Sequence, residues 1–293
     1  MPPETPAFRR LLLGHELREL REARGLTARS VSQEMEVAPS WVTRIENGQR
    51  GIQTRDLRRL FDLYQVHDER RRERLLELAQ QSKKHGWWEP FKSSLPPKYA
   101  DYVGLESSAT RIRNVEMVVV PGLVQTEEYA RHLLLGGMHS FTEEEVASRL
   151  TVRLQRQQNL DQRREETSLD VILDESVLLR VVGGAAVMRR QLARMVEMVE
   201  GAKATIRILP LSQGVHVGSS ESFVILDLPG EALKPIPYIE TVAGDLYLEK
   251  PDDIATCETA WAYLEGLALD AEDSAAKIRE IMESYEKDAE GGA

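Results

Sequence analysis

The chain has 293 residues, of which 42% are hydrophobic and 29% charged, and its formal net charge is -10 at pH 7. These fractions are typical of a globular protein, and the length is sufficient for two domains. A single cysteine, Cys257, excludes an intramolecular disulfide framework. The longest apolar run, at Met117–Val120, is too short to span a bilayer, and the N-terminus has no signal-peptide core. We therefore expect a cytoplasmic protein.

The charge is distributed unevenly. Residues 1–84 carry 17 Lys and Arg against 13 Asp and Glu, a balance of +4, whereas the remainder carries 21 against 35, a balance of -14. A basic segment on an acidic body favours nucleic-acid binding by that segment and limits non-specific attachment elsewhere. Because +4 is modest, we expect affinity to depend on dimerisation.

Helical periodicity dominates the N-terminal part. Residues 1–7 are rich in proline and are predicted to be disordered. Leucines 13, 17 and 20 predict a helix from Arg9 to Arg24 that Gly25 ends, and another helix is predicted to begin at Thr54 and to include Tyr64. The polar side of that later helix carries arginines that suit either solvent or phosphate: Arg55, Arg58 and Arg59.

Between these helices, residues 26–50 have the pattern of two short helices joined by a tight turn. Thr27 suits the N-cap of the first, Pro39 the first turn of the second, and Gly48 the left-handed residue after it. The apolar stripes direct a polar, net positive set outward: Ser40, Trp41, Thr43, Arg44 and Asn47. A projecting helix with such a set fits the DNA major groove.

The run S-W-V-T-R-I-E-N-G-x-R, placed after T-A-R-S-V-S-Q, resembles the helix-turn-helix of the Xre family, which includes the phage Cro and cI repressors. The resemblance implies base-edge contacts from Pro39, Ser40, Trp41 and Arg44. It also implies phosphate contacts from Thr27, Ala28, Asn47, Gln49 and Arg50. Three positions depart from the family pattern: Glu36 replaces a frequent turn glycine, Ala38 replaces a capping Ser or Thr, and Ala28 has no side-chain donor.

Residues 68–100 are predicted to connect two domains. Asp68–Lys84 is a charged helix with Leu75, Leu76 and Ala79 on one side, either a connector or a dimer-facing helix. The following stretch contains Trp87 and Trp88 among several prolines, so it cannot be helical throughout. An apolar clasp between the domains is favoured there over a ligand pocket.

From residue 101 helices and strands mix, which predicts an α+β domain. Helices are predicted at Tyr102–Arg113, after the cap Thr126, at Thr142–Arg164 with a Thr142/Glu145 capping box, and at Glu175–Arg180, Gly183–Glu200, Pro251–Leu267 and Ser274–Tyr285. Strands are predicted at Val115–Val120, Ser168–Leu173, Thr205–Leu209, Ser222–Leu228, Pro237–Val242 and Asp245–Leu248, with Ala243 and Gly244 as a hairpin turn.

Several motifs of this region, G-W-W, Y-V-G-L-E-S-x-A-T, V-P-G-L-V-Q-T-E-E-Y-A, VVGG, Q-x-G-V-H-x-G and LYLE-x-P, resemble the C-terminal region of a large group of actinobacterial Xre regulators. That region is described as antitoxin-like and has no settled biochemical activity. The resemblance implies a small partner protein encoded beside the gene.

No pattern indicates catalysis, a metal or a cofactor. The six histidines show no metal-ligand spacing, and neither a phosphate-binding loop nor a nucleophile elbow occurs. Ser219 or Ser220 with Lys234 or Lys250 could form the dyad of a self-cleaving repressor, but the surrounding residues do not resemble that family. The loop Leu211–Ser222, which holds His216, is either a ligand or partner site or an ordinary connection.

The sequence therefore predicts a multidomain protein: an all-α, lambda-repressor-like helix-turn-helix domain (9–67), a connector and clasp (68–100), and an α+β regulatory or partner-binding domain (101–288). We expect a homodimeric, sequence-specific transcriptional regulator without enzymatic activity that reads a pseudo-palindrome in double-stranded DNA. The alternative is an antitoxin-like interaction module that neutralises a small neighbouring-gene protein and binds DNA only for autoregulation.

Overall fold

The computed structural model describes residues 4–96, 99–136, 141–230, 233–241 and 244–291. Five helices come first: α1 (Pro6–Ala23), α2 (Ala28–Glu34), α3 (Pro39–Glu46), α4 (Thr54–Leu63) and α5 (Glu69–Gln81). Their buried side chains form one apolar core, centred on Leu17, Leu57 and Phe61. The predicted all-α domain is confirmed.

Helix α5 packs on this core and not away from it. Leu75 and Ala79 are buried against α1 and α4, while the opposite side of the helix carries its charges. The Asp68 side chain accepts hydrogen bonds from the backbone N–H groups of Arg70 and Arg71, which starts the helix. The charged helix is thus a fifth member of the N-terminal bundle.

The C-terminal part is a mixed α and β domain built on a six-stranded sheet. The strands are β1 (Arg111–Glu116), β2 (Ser168–Asp174), β3 (Thr205–Leu209), β4 (Phe223–Asp227), β5 (Ile236–Thr241) and β6 (Gly244–Tyr247). Their order is β3-β2-β1-β4-β5-β6, in which β1, β2 and β3 are parallel and β4, β5 and β6 continue as antiparallel neighbours. The helices are α6 (Tyr99–Glu106), α7 (Glu127–Leu135), α8 (Glu143–Asp161), α9 (Ser176–Leu179), α10 (Ala185–Glu200), α11 (Pro251–Leu267) and α12 (Ala271–Gly291).

Alternating side chains of the strands supply two apolar layers, one on each face of the sheet. Leu169 and Val171 of β2 join the larger core, to which α6, α8, α10 and α12 contribute. Ile172, between Val171 and Leu173, faces the other layer, which α11 covers with Trp261 and Leu264. The sheet is therefore buried on both faces, as its parallel half requires.

Most element predictions for this domain are confirmed, including the Thr126 cap and the Thr142/Glu145 capping box. The first strand is displaced: it runs over Arg111–Glu116 and not over Val115–Val120. Two arginines are accommodated in this strand because each forms an ion pair with a neighbouring strand. Arg111 pairs with Asp170 of β2 at 2.6 Å, and Arg113 pairs with Asp227 of β4 at 2.7 Å. Val242 of the predicted strand and Ala243 of the predicted hairpin turn lie outside the described residues.

Helix α1 belongs to both cores. Leu13 and Leu17 pack in the helical bundle, whereas Ala7 and Phe8 are buried in the core of the C-terminal domain. Thr5 caps the helix and is itself held by the C-terminal domain: its hydroxyl donates to the Gly104 carbonyl at 2.7 Å. The predicted disorder of residues 1–7 is thus wrong for residues 5–7, because Phe8 and the cap tie them down.

The Trp-rich segment fastens this junction. Trp88 is buried beside Ala7 and Gly104, and a Cβ atom at Gly104 would approach the Trp88 ring to 2.9 Å. Trp87 packs edge-on against Trp88 with ring centroids 5.8 Å apart. This is the geometry of an apolar clasp. Within the described ranges, the chain holds no helix with the length and hydropathy of a membrane span.

Candidate nucleic-acid interface

Helix α3 presents a polar face to solvent. Ser40, Thr43 and Arg44 are exposed, and the Arg44 guanidinium donates to the Ser40 hydroxyl at 3.3 Å. Pro39 is also exposed at the first position of the helix, where its missing N–H costs no hydrogen bond. These four side chains occupy the face that was expected to meet base edges.

Trp41 is the exception on this helix. Its side chain is only 8% exposed and packs in the bundle core, so the expectation that it points outward is wrong. Its neighbours Val42 and Ile45 are buried as well, which widens the apolar stripe of this short helix to include position 41. Trp41 is therefore part of the apolar core of the bundle and not of the exposed polar face of α3.

Helix α2 carries the other predicted phosphate contacts at its N-terminus. Thr27 caps it by accepting a hydrogen bond from the Ser30 N–H at 3.0 Å, and Ala28 is half-buried against the core. Two exposed donors on this helix were missed by the sequence analysis, Arg29 and Gln33. The sequence indicated them only by placing two polar residues one helical turn apart, a spacing that many solvent-exposed helix faces share.

The turn between α2 and α3 is made without glycine. Glu36 adopts φ 56°, a left-handed conformation that disfavours a side chain. The turn closes because the Val37 N–H donates to the Ser32 carbonyl at 2.9 Å, and Ala38 precedes α3 without a side-chain cap. The motif therefore retains its geometry at a cost in local strain.

The end of α3 is fixed by a glycine against α1. Gly48 has φ 68°, its N–H donates to the Ile45 carbonyl, and the Gln49 N–H donates to the Arg44 carbonyl at 2.9 Å. This pair of bonds is a Schellman motif. A Cβ at position 48 would lie 2.8 Å from the Leu11 Cα, so glycine also allows the turn to pack on α1.

A buried ion pair joins the same two helices. Glu46 accepts from the Arg21 Nε at 2.6 Å and from its Nη2 at 2.9 Å, and the two side chains are 4% and 11% exposed. The hydrogen bond to Glu46 raises the pKa of Arg21. The pair connects the last residue of α3 to the last turn of α1, and sequence reasoning did not identify it. The only indication in the sequence was that a charged residue, Glu46, directly follows an apolar position of the helix, Ile45.

The residues after α3 lie next to the C-terminal domain. Asn47 is half-buried: its side-chain oxygen accepts from Arg18, and its amide donates to Glu249. The Gln49 amide also donates to Glu249, at 2.6 Å, whereas Arg50 is exposed. Two of the residues expected to contact phosphate thus contact a carboxylate of the same chain.

A cleft of about 420 Å³ opens beside this contact, between the bundle and the edge of the sheet. Its walls come from α1, the turn after α3, β6 and the start of α11, and most of its surface is apolar. The apolar side chains include Leu11, Leu248 and Ile254; the polar ones include His15 and Glu249. The volume is that of a small-molecule site.

The other predicted candidates lie elsewhere. Trp88 is buried in the clasp, and Trp87 borders a separate depression with Asn159 and Arg163. His216 lies in the loop after β3 with its side chain 4% exposed, 3.6 Å from the Asp174 carboxylate. The structure does not bring these candidates together with the polar face of α3.

Near the same end of the sheet, Glu116 closes β1. Burial raises the pKa of this carboxyl to about 7, although hydrogen bonds with Ser222 and Asn114 act in the opposite direction. Across the described portion of the chain, no three His, Cys, Asp or Glu side chains are grouped as a metal site would require.

Comparison with protein families finds two matches. A model described as a helix-turn-helix domain matches residues 12–75, and a model described as a domain of unknown function, DUF5753, matches residues 99–280. No curated protein and no solved structure matches the chain. The helix-turn-helix domain suggests DNA binding, and the matched C-terminal domain brings no function with it.

Proposed function

The chain belongs to the DUF5753 family and carries a helix-turn-helix domain ahead of that region, and we propose that it is a sequence-specific DNA-binding transcriptional regulator of the Xre type, cytoplasmic and without enzymatic activity. The observation that carries the proposal is the polar face of α3. Ser40, Thr43 and Arg44 are exposed on a helix whose opposite side is buried, and the Schellman turn and the ion pair with Arg21 hold that helix on α1.

In this proposal α3 enters the major groove. The Arg44 guanidinium reads guanine O6 and N7, and Ser40 adds a polar contact to a neighbouring base. Thr27 and Arg50 contact phosphates, and Asn47 and Gln49 do so when they leave Glu249. Ala28 contributes its backbone N–H alone. One bundle offers few base contacts, so the protein acts as a homodimer on half-sites roughly one helical turn apart.

We assign the control function to the C-terminal domain, and the cleft of about 420 Å³ supports an effector site there. The cleft is formed by both domains, because Leu11 and Gln49 line it from the bundle and Leu248 and Glu249 from the sheet edge. The affinity of the cleft for a bound molecule therefore depends on how the two domains are placed relative to each other. Such a dependence is required if binding in the cleft is to be coupled to DNA binding.

The test starts with duplexes selected from a random pool by the purified protein, followed by fluorescence anisotropy at one fixed salt concentration. Arg44→Ala should weaken binding to the selected site by about 1–3 kcal/mol and relax the preference at one base pair. Arg189→Ala, which removes an exposed arginine of α10, is the matched control and should bind like the wild type. Selection that enriches no sequence, or wild-type affinity and preference in Arg44→Ala, would contradict the proposal.

A second candidate function is favoured by a separate observation. Val215 is 95% exposed, and it lies with half-exposed Val217 and Tyr263 on a surface formed by the loop before β4 and the outer side of α11. Apolar patches of this kind mark protein interaction sites. An antitoxin-like module would bind a small neighbouring-gene protein there, and Val215→Asp should then abolish co-purification of that protein without changing DNA affinity.

A further inference from the structure

Glu249 occupies the place that a DNA phosphate takes in the proposed complex. One of its carboxylate oxygens accepts from the Asn47 amide and the other accepts from the Gln49 amide, the latter at 2.6 Å. A phosphate group offers the same arrangement of two anionic oxygens on one centre. Resting on the proposed function, we propose that Glu249 is an intramolecular phosphate mimic that holds the DNA-binding turn in an autoinhibited state.

The contact joins the two domains across 200 residues of sequence. Glu249 follows β6 and directly precedes Lys250, the N-cap of α11, and Asn47 and Gln49 flank Gly48 at the end of α3. Backbone hydrogen bonds hold both segments: the Schellman turn includes Gln49, and the N–H of Leu248, next to Glu249, donates to the Pro237 carbonyl of β5 at 3.0 Å. The contact is therefore made between two segments that backbone hydrogen bonds hold in place.

Electrostatics makes the contact and DNA binding mutually exclusive. The duplex brings a dense row of negative charges to this turn, and a carboxylate already on the two amides both repels them and withholds the donors. DNA must displace Glu249 before Asn47 and Gln49 reach phosphate. The free energy of that displacement is subtracted from the affinity for any duplex, because phosphate contacts carry no base information.

The experiment compares four full-length variants with the wild type by anisotropy, using the selected duplex and an unrelated duplex of equal length: Glu249→Ala, Glu283→Ala, Gln49→Ala and the double variant Glu249→Ala/Gln49→Ala. Glu249→Ala should bind both duplexes about tenfold more tightly than the wild type. Glu283→Ala, which removes an exposed glutamate of α12, causes the same change of net charge and should bind like the wild type. The gain from Glu249→Ala should shrink when Gln49→Ala is also present, since one masked donor is then absent.

The outcomes separate the two proposals. If Glu249→Ala binds within twofold of the wild type, the autoinhibited state is refuted although the regulator proposal stands. A tenfold gain that is undiminished in the Gln49→Ala background also refutes it, because the carboxylate then acts only as one more negative charge. If neither the wild type nor Glu249→Ala binds any duplex, the proposed function itself fails. Thermal melting of each variant checks that the fold is retained.

Discussion

Removal of the Glu46 carboxylate tests whether helix α3 is held on α1 by a buried ion pair. The carboxylate receives two hydrogen bonds from Arg21, at 2.6 and 2.9 Å, and a longer one from Arg18, at 3.4 Å. Both partners of the main pair are nearly inaccessible, at 4% and 11% of their side-chain surface. Solvent screening is therefore weak, and the loss of one partner leaves a buried charge.

The expected loss is at the lower end of the range for broken buried pairs. Such losses are about 3–5 kcal/mol. In Glu46→Ala, Arg21 still donates to the Leu26 carbonyl at 2.8 Å and to Glu22 at 3.1 Å, which compensates part of the penalty. We therefore expect the free energy of unfolding of the bundle to fall by about 3 kcal/mol.

The assay is urea denaturation of the full chain, followed by far-ultraviolet circular dichroism and by fluorescence. The double variant Arg21→Leu/Glu46→Leu is the matched control, since an apolar pair of similar volume is often neutral or stabilising. It should recover most of the loss. A loss below about 1 kcal/mol in Glu46→Ala would refute the reasoning, since it would mean that the pair is screened like a surface pair.

Three further perturbations have defined outcomes. Gly48→Ala should lower the free energy of unfolding in urea clearly more than Gly25→Ala does. Both glycines have positive φ, at 68° and 66°, but only at position 48 would the Cβ meet backbone, 2.8 Å from the Leu11 Cα. Equal losses of stability would show that α1 moves to make room for the Cβ. Trp41→Ala should lower the stability of the bundle by about 3–5 kcal/mol and leave the base preference of the folded fraction unchanged, because the ring is in the core; a changed preference in selected duplexes would return Trp41 to the interface. Glu116 has a pKa raised to about 7 by burial, so its folded state retains a proton that the unfolded state loses above the ordinary value of 4.5. Stability should thus fall by up to about 1.4 kcal/mol per pH unit as pH rises from roughly 4.5 to 7 and level off above that, relative to Glu116→Gln; parallel pH curves for the two proteins would contradict the shift.

The helix-turn-helix could be predicted in detail because its determinants are local. Thr27, Pro39 and Gly48 each act within one turn of chain, so the limits of α2 and α3 follow from residue type and spacing. Trp41 was misplaced for a related reason. A tryptophan at the edge of an apolar stripe can equally contact a DNA base or pack in the core of the domain. Only the side chains packed around it determine which of the two occurs.

The contacts of longer range were not accessible to the same reasoning. Glu46 with Arg21, and Glu249 with Gln49, are each a pair of common residue types separated by 25 and 200 positions. The displaced first strand has the same cause, because Arg111 and Arg113 become compatible with a sheet only when Asp170 and Asp227 are beside them. Periodicity within one segment contains no information about such partners.

The passage of α1 through both cores bears on how such proteins diversify. Its first turn places Ala7 and Phe8 inside the C-terminal domain, and its later turns carry Leu13 and Leu17 into the bundle. A chimera that joins this bundle to another C-terminal domain would expose the apolar side chains of Ala7 and Phe8. Their removal would also leave a cavity in the core of the original C-terminal domain. If the protein is the proposed regulator, we therefore expect a change of operator specificity to come more readily from exchange of the exposed side chains on α3 than from exchange of the whole helical bundle.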